Sequence, residues 1–157
     1  MAPQPHPAFE VLAGQLMADM GKHDEAATIY RRALRGNPHY RSLVYAYLDE
    51  LLQTGHAKEG LADLEERLRT TQDDYRLYEL QARAYESLGR PIAQHRAQGE
   101  AYFRKGNLAA AVDQLEIAVK QTRGSNFYEM SIAESRLREL RVLLENERAA
   151  EKALKIT

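Results

Sequence analysis

Apolar residues recur along this chain at steps of three and four positions. A typical run is Ala26, Ile29, Tyr30, Ala33 and Leu34, a spacing that puts the apolar side chains on one face of a helix. No segment shows the sustained alternation of polar and β-branched apolar residues that is typical of a half-buried strand. The pattern therefore predicts an all-α protein of about eight helices, at 8–20, 23–35, 41–53, 57–69, 75–88, 92–104, 108–122 and 127–148.

Proline and the distribution of large apolar residues set the ends of the predicted helical region. Three of the five prolines lie within residues 1–7, which predicts an extended tether there. Beyond Glu145 the large apolar residues become sparse, which predicts a C-terminal tail at 149–157. The helical domain is predicted to occupy 8–148.

Three glycines follow predicted helices at equal distances. The spacing from Gly21 to Gly55 equals the spacing from Gly55 to Gly89, and each glycine stands where a helix end commonly needs a left-handed residue. A period of about 34 residues, which is the spacing of these glycines, with two helices in each unit is the signature of the tetratricopeptide repeat. The alternative is a bundle of α-hairpins whose glycines coincide by chance. The repeat predicts a right-handed superhelix of antiparallel helices, with units at 7–40, 41–74 and 75–91.

The period changes after the third of these glycines. Gly106 follows Gly89 after only half of the earlier spacing, which is half a repeat. The helix at 92–104 is therefore predicted to act both as the second helix of one unit and as the first helix of a shifted unit at 92–124. The last helix, at 127–148, is predicted to cap the array with one apolar stripe: Ile132, Ala133, Leu137, Leu140 and Leu144.

Composition narrows the possible functions. The chain has no cysteine, which excludes disulfides and thiolate zinc sites. It carries 22 Lys and Arg against 23 Asp and Glu, so its net charge argues against electrostatic binding of nucleic acid or anionic membrane. No apolar run approaches the roughly 18 residues of a membrane span, so we expect no membrane insertion.

Residues that could support catalysis are scattered. The five histidines are never three or four positions apart, so no helix presents a pair of metal ligands. His23 stands before Asp24 and Glu25 without the second histidine of a zincin, and we expect His23 and His56 to be ordinary surface loop residues. The sequence predicts no catalytic residue, no metal site and no cofactor in this chain.

A binding surface is predicted on the first helix of each repeat. Repeats of this type bind peptides or protein segments there, so the expected partner is a protein or peptide segment in a concave groove. The residues predicted to line that groove are Tyr45, Asp49, Gln53, Arg76, Glu79, Arg83, Arg96, Glu100 and Arg104.

The charged residues among these allow two interpretations. Arg76, Glu79, Arg83, Glu86 and Arg90 alternate in sign at three- and four-residue steps. They form either a solvated ladder of ion pairs that keeps the helix soluble or a surface on which a partner's carboxylate pairs with an arginine.

Two further expectations concern what the groove binds. Tyr45 is the tyrosine expected to face a ligand, while the neighbouring tyrosines are expected to pack between helices. A clamp for a terminal carboxylate is disfavoured, because it requires Lys and Asn where this chain has Val11, Gln15, Tyr45 and Asp49.

Residues 75–145 resemble a particular family. The elements that carry the likeness are Leu88-Gly89-Arg90-Pro91, His95-Arg96, Tyr102, Gly106-Asn107-Leu108, Ala111, Gln114-Leu115, Ala133, Arg136-Leu137 and Glu139-Leu140. This stretch is similar to the C-terminal tetratricopeptide region of bacterial periplasmic HExxH zinc metalloproteases, which are linked to quality control of outer-membrane β-barrel assembly.

The resemblance implies a non-catalytic C-terminal portion of a periplasmic zinc metallopeptidase. The zinc would belong to the parent enzyme, because the HExxH motif and the catalytic domain are absent from this chain. The region would then contact its own protease domain and recruit assembly machinery or substrates. The alternatives are a free-standing cytoplasmic scaffold or cochaperone, and a fragment whose residues complete a neighbour's active site.

Overall fold

A computed structural model describes residues 5–121 and 126–155. Within these ranges the chain forms helices and no strand, which confirms the predicted all-α class. The helices are α1 (Pro7–Asp19), α2 (His23–Gly36), α3 (Arg41–Gln53), α4 (Ala57–Leu68), α5 (Tyr75–Ser87), α6 (Pro91–Arg104), α7 (Leu108–Val119) and α8 (Phe127–Leu154). Residues 1–4 of the predicted tether, residues 122–124 of the shifted unit and residues 156–157 of the predicted tail lie outside the described ranges.

Several helix ends differ from the predictions by one to six residues, and two of them have a clear local cause. The helix α1 begins at Pro7, because His6 caps it by accepting a hydrogen bond from Ala8 N at 3.2 Å and because proline is well suited to a first helical turn. The helix α8 continues to Leu154, so residues 149–154 of the predicted tail are helical and exposed. Alanine, glutamate and lysine dominate that stretch and favour helix without burial.

The glycines between paired helices have the predicted left-handed conformation. At the end of α5, Gly89 has φ +66°, its N–H donates to Glu86 O, and the next N–H, of Arg90, donates to Tyr85 O. This is the Schellman arrangement that satisfies carbonyls at a helix C-terminus. The same φ region holds the other three glycines of the pattern, Gly21, Gly55 and Gly106.

The described residues divide into two compact units, and the first ends at Glu66. In unit one, α1, α2 and α3 pack against one another. The buried cluster consists of Ala26, Tyr30, Ala33, Leu43, Tyr47 and Leu51. Ala26, Tyr30 and Ala33 of the apolar run in the sequence therefore form part of its core.

The helix α1 places its side chains in an unexpected way. Phe9, Leu12, Leu16 and Met20 are more than half exposed, although they recur at helical steps. In contrast, Glu10 is buried, and its carboxylate accepts hydrogen bonds from Arg32 Nη2 at 3.2 and 3.0 Å. Hydropathy alone predicts the reverse arrangement.

Unit two begins at Arg67 and contains α5 to α8. The helix α6 contacts α5, α7 and α8, which explains why the sequence fits it both as a second and as a first helix. Its partners α7 and α8 share a buried cluster made of Ala111, Val112, Leu115, Leu137, Leu140 and Leu144. Ala133 is buried as well, whereas Ile132 is only half-buried.

The α6–α7 hairpin repeats a close contact seen in the α1–α2 hairpin. The sequence separation of Gly14 and Tyr30 is the same as that of Gly99 and Leu115. A methyl group on Gly14 would overlap the ring of Tyr30, and one on Gly99 would lie 3.2 Å from the carbonyl oxygen of Ala111. Both hairpins therefore use glycine where two helices approach closely.

Candidate functional site

The three predicted groove residues of unit one lie along α3. Tyr45 and Asp49 are half-buried and Gln53 is exposed. The Gln53 side-chain amide donates a hydrogen bond to Asp49 Oδ2, one helical turn away. The other six predicted groove residues belong to unit two.

On α5, the predicted residues differ in exposure. Arg76 and Arg83 are exposed, whereas Glu79 is half-buried and forms an ion pair with Lys105 at the end of α6. The Lys105 ammonium lies 4.8 Å from the centre of the Tyr75 ring, a cation–π contact. The hydrogen bond from Lys105 to Glu79 raises the pKa of the lysine.

On α6, Glu100 joins two arginines, one from its own helix and one from α8. Glu100 Oε2 accepts from Arg104 Nη1 at 2.8 Å and from Arg136 Nη2 at 3.0 Å. Glu100 Oε1 accepts from Arg136 Nε at 2.6 Å. Arg136 therefore grips the carboxylate with two donors in the fork geometry that only a guanidinium offers.

Aromatic rings flank these guanidinium groups. The Arg104 guanidinium carbon is 5.1 Å from the ring centres of both Tyr78 and Phe103. The Arg136 guanidinium carbon is 4.9 Å from that of Phe103. We call these five residues, Tyr78, Glu100, Phe103, Arg104 and Arg136, the Glu100 cluster.

The two arginines of the cluster also donate hydrogen bonds to a backbone carbonyl and to a second carboxylate. Arg104 Nε donates to the carbonyl oxygen of Gln72 at 2.8 Å, so the segment before α5 is tied to α6. Arg136 Nη1 donates to Glu139 Oε2 at 2.9 Å. Three helices, α5, α6 and α8, thus contribute to one charged and aromatic surface.

The electrostatics of the cluster follow from its burial and charges. Burial raises the pKa of Tyr78, and the charge of Glu100 acts in the same direction while that of Arg104 opposes it. Burial by itself would lower the pKa of Arg136, but its hydrogen bonds to Glu100 and Glu139 outweigh that effect and raise it. Arg136 therefore stays charged, and the Tyr78 hydroxyl stays protonated at neutral pH.

The sequence identifies part of this surface. It predicts Glu100 and Arg104 as groove residues, together with Arg96, which is also half-buried on α6. It does not predict Arg136, because this residue borders the apolar stripe of α8 and its charge suggests an outward-facing position. The signal that could have placed Arg136 beside the core is its spacing, three residues after Ala133 and four before Leu140.

His23 is exposed, as predicted, but it belongs to a helix and pairs with a buried carboxylate. It is the first residue of α2, and its Nδ1 lies 2.8 Å from Glu50 Oε1. Glu50 is 4% exposed, and a buried carboxylate without a polar partner would be costly, so His23 supplies that partner and ties α2 to α3. His56 is exposed just before α4, as expected of a loop residue.

The described helices offer neither a cluster of metal ligands nor a long apolar segment. Across residues 5–121 and 126–155, no three His, Asp or Glu side chains are arranged to hold a metal ion. None of the helices described there has the length and apolar character needed to cross a membrane.

The architecture is that of an α-helical repeat protein, with paired helices, glycine joints and close small-residue contacts. A family model described as tetratricopeptide repeat matches residues 2–120. The chain therefore belongs to the tetratricopeptide-repeat family. Members of this class bind protein partners and are generally non-catalytic.

One similar solved structure is that of a thermophilic tetratricopeptide-repeat protein of Thermus thermophilus, with 19% sequence identity and a TM-score of 0.47. The match covers 88% of this chain and 83% of that chain. No curated protein matches the sequence.

Proposed function

We propose that this chain is a non-catalytic protein-interaction module that binds a polypeptide segment on the surface formed by α5, α6 and α8. The observation that supports this proposal is the Glu100 cluster, in which two arginines and two aromatic rings stand together on helices of a protein-binding repeat. Arginine and aromatic side chains are the residues that most often dominate binding energy at protein interfaces.

Site-specific photo-crosslinking tests the binding surface. A photoreactive residue at position 76 or 83 of α5 is expected to crosslink to a polypeptide partner in extracts of the source cells. The same residue at position 113, exposed on α7, is the matched control. Equal crosslinking from all three positions would place the partner elsewhere.

We propose further that the chain is the C-terminal portion of a periplasmic zinc-dependent metallopeptidase. The resemblance over residues 75–145 supports this, since it includes Arg136 and Glu139 on α8. In this proposal the parent's HExxH domain supplies the zinc, and the repeats contact that domain and recruit outer-membrane assembly machinery or substrates.

The encoding gene and the location of the protein test this second proposal. An in-frame HExxH domain preceded by a secretion signal, with the protein in the periplasmic fraction, is the expected result. A gene that starts at Met1 and a cytoplasmic product would contradict it and would favour a free-standing scaffold or cochaperone.

A further inference from the structure

Positive charge is concentrated in one part of the sequence. Residues 75–105 contain six Lys or Arg and three Glu, while the whole chain has a net charge of −1. This segment covers α5 and α6, the two helices that carry most of the Glu100 cluster. A surface of this kind attracts a partner of opposite charge and accelerates its association.

The two arginines of the Glu100 cluster share one carboxylate of that cluster. Glu100 accepts from both Arg104 and Arg136, and only Glu139, outside the cluster, balances the second positive charge. Both arginines are largely buried, with 18% and 25% of their side-chain surfaces exposed. Desolvated cations gain more from an additional carboxylate than cations in bulk water do.

The second carboxylate on Arg136 is held weakly. Glu139 accepts a hydrogen bond from Arg136 Nη1, and 59% of the Glu139 side-chain surface is exposed. Exposed ion pairs between neighbouring turns of a helix contribute little stability, because water and salt screen them. A carboxylate from another molecule can therefore replace Glu139 at small cost, whereas Glu100 is fixed by two arginines.

A comparable pair lies at the end of α6. Lys105 and Glu79 each expose 36% of their side chains, and the Lys105 ammonium is also within 5.9 Å of the Tyr102 ring centre. Lys105 lies over Tyr75 and Arg104 lies over Tyr78, three residues further along α5, so the surface offers a second cation near the first. This favours a ligand with more than one carboxylate.

We propose that the Glu100 cluster binds an acidic segment of a partner protein, one of whose side-chain carboxylates takes the place of Glu139 on Arg136. This inference rests on the proposed protein-binding function and adds the chemistry of the partner. Glu139 is then an internal competitor that occupies the arginine when no partner is bound.

Fluorescence anisotropy with defined peptides tests the inference on the full chain. The probe is a labelled, C-terminally amidated peptide of Asp, Glu, Gly and Ser, compared with the same peptide carrying Asn and Gln instead. We expect the acidic peptide to bind at least about tenfold more tightly, as charge-assisted hydrogen bonds allow. The uncharged peptide with a free terminal carboxylate distinguishes side-chain from terminal recognition, and we expect it to bind as weakly as its amide.

Two pairs of charge-matched variants locate the contact. Glu139→Gln is expected to tighten binding of the acidic peptide about threefold, because it removes the competitor, while Glu134→Gln on the same helix leaves the Kd unchanged. Arg136→Gln is expected to weaken binding about tenfold, and Arg138→Gln is its control. If Arg136→Gln reduces the helical circular dichroism, Arg136→Lys replaces it and is expected to bind more weakly because lysine lacks the fork.

The outcomes separate this inference from the function on which it rests. Equal binding of the Asp- and Glu-containing peptide and the Asn- and Gln-containing peptide, with crosslinking still confined to α5, would overturn the preference for an acidic partner. The protein-binding proposal would still stand. Equal effects of Glu139→Gln and Glu134→Gln would overturn the exchange at Arg136. No peptide binding together with no crosslinking would overturn both proposals.

Discussion

The contact between Gly14 and Tyr30 shows how one missing side chain can fix the packing of two helices. Tyr30 is 1% exposed, and its ring occupies the space that a β-carbon on Gly14 would need. The second repeat has Leu48 at the position that corresponds to Gly14, and a β-carbon on Gly60 of its second helix would face the flexible end of Leu52 at 3.3 Å. The two repeats therefore join their helices with different residues.

Gly14→Ala is therefore expected to lower the free energy of unfolding by about 1–3 kcal/mol, because the added methyl group must displace a buried ring. Gly60→Ala is the matched control, and we expect it to change stability by less than about 1 kcal/mol, since Leu52 can move and alanine favours helix. Urea denaturation followed by circular dichroism measures both. Equal effects of the two substitutions would contradict the described contact.

Tyr30 also predicts how stability responds to alkaline pH. Burial, and then the charges of Glu50, Asp19 and Asp49, raise the pKa of Tyr30 from 10.0 to about 12. Below pH 10 the phenol is neutral in both the folded and the unfolded chain, so folding is not affected. As the pH rises from 10 to 12 the unfolded chain ionises first, and we expect a loss of roughly 3 kcal/mol in the free energy of unfolding.

Denaturation curves across this pH range check the prediction, with Tyr30→Phe as the control. The phenylalanine variant cannot ionise at this position, so its loss of stability between pH 10 and 12 is expected to be smaller. If both proteins lose the same free energy, Tyr30 does not carry the effect.

At the scale of helices, α6 is the element on which unit two depends. It contacts three other helices, and its Gly99 lies against α7 at the level of Ala111. Because α6 also carries Glu100 and Arg104, different faces of this helix supply the packing and the proposed binding surface. The proposed surface therefore depends on the position of α6.

Ala111→Glu is expected to destabilise the protein by more than about 3 kcal/mol, because Ala111 is fully buried and the substitution places an unpaired charge between helices. Ala109→Glu introduces the same charge at an exposed position of the same helix, and we expect a change within about 0.5 kcal/mol. Thermal unfolding followed by far-ultraviolet circular dichroism compares the two. A small effect at position 111 would mean that α6 and α7 do not pack as described.

At the scale of the whole molecule, charge is unevenly distributed while the net charge is close to zero. The arginines of α5 and α6 are balanced by carboxylates elsewhere in the sequence. The excess positive charge of the helices that carry the proposed binding surface is therefore offset in other parts of the chain.

Arg83→Ala is expected to leave the melting temperature nearly unchanged, because Arg83 is exposed on α5 and exposed charges contribute little to stability. Binding of the acidic peptide is expected to weaken severalfold through loss of local positive charge. Differential scanning calorimetry and anisotropy measure the two effects on the same variant. Unfolding of Arg83→Ala would show that this residue supports the fold instead of the binding surface.

The sequence by itself determined the helices, their glycine joints and the family, because helical periodicity and turn requirements act within a few residues. It also indicated the half-repeat step, since the spacing from Gly89 to Gly106 is local information. The predicted end of α8 was less accurate, and the sequence analysis did not predict which residues of α1 are buried. In α1, burial depends on neighbours that lie far away in the sequence.

Only the tertiary structure decided which charged residues meet. Glu100 and Arg136 are 36 positions apart, as His23 and Glu50 are 27 apart, and no helical period relates either pair. Hydropathy places a charged side chain at the surface and an apolar one inside, yet Glu10 is buried and Leu12 is exposed. Packing of one helix against the next sets these positions, because a buried charge is tolerated only where another helix supplies its partner.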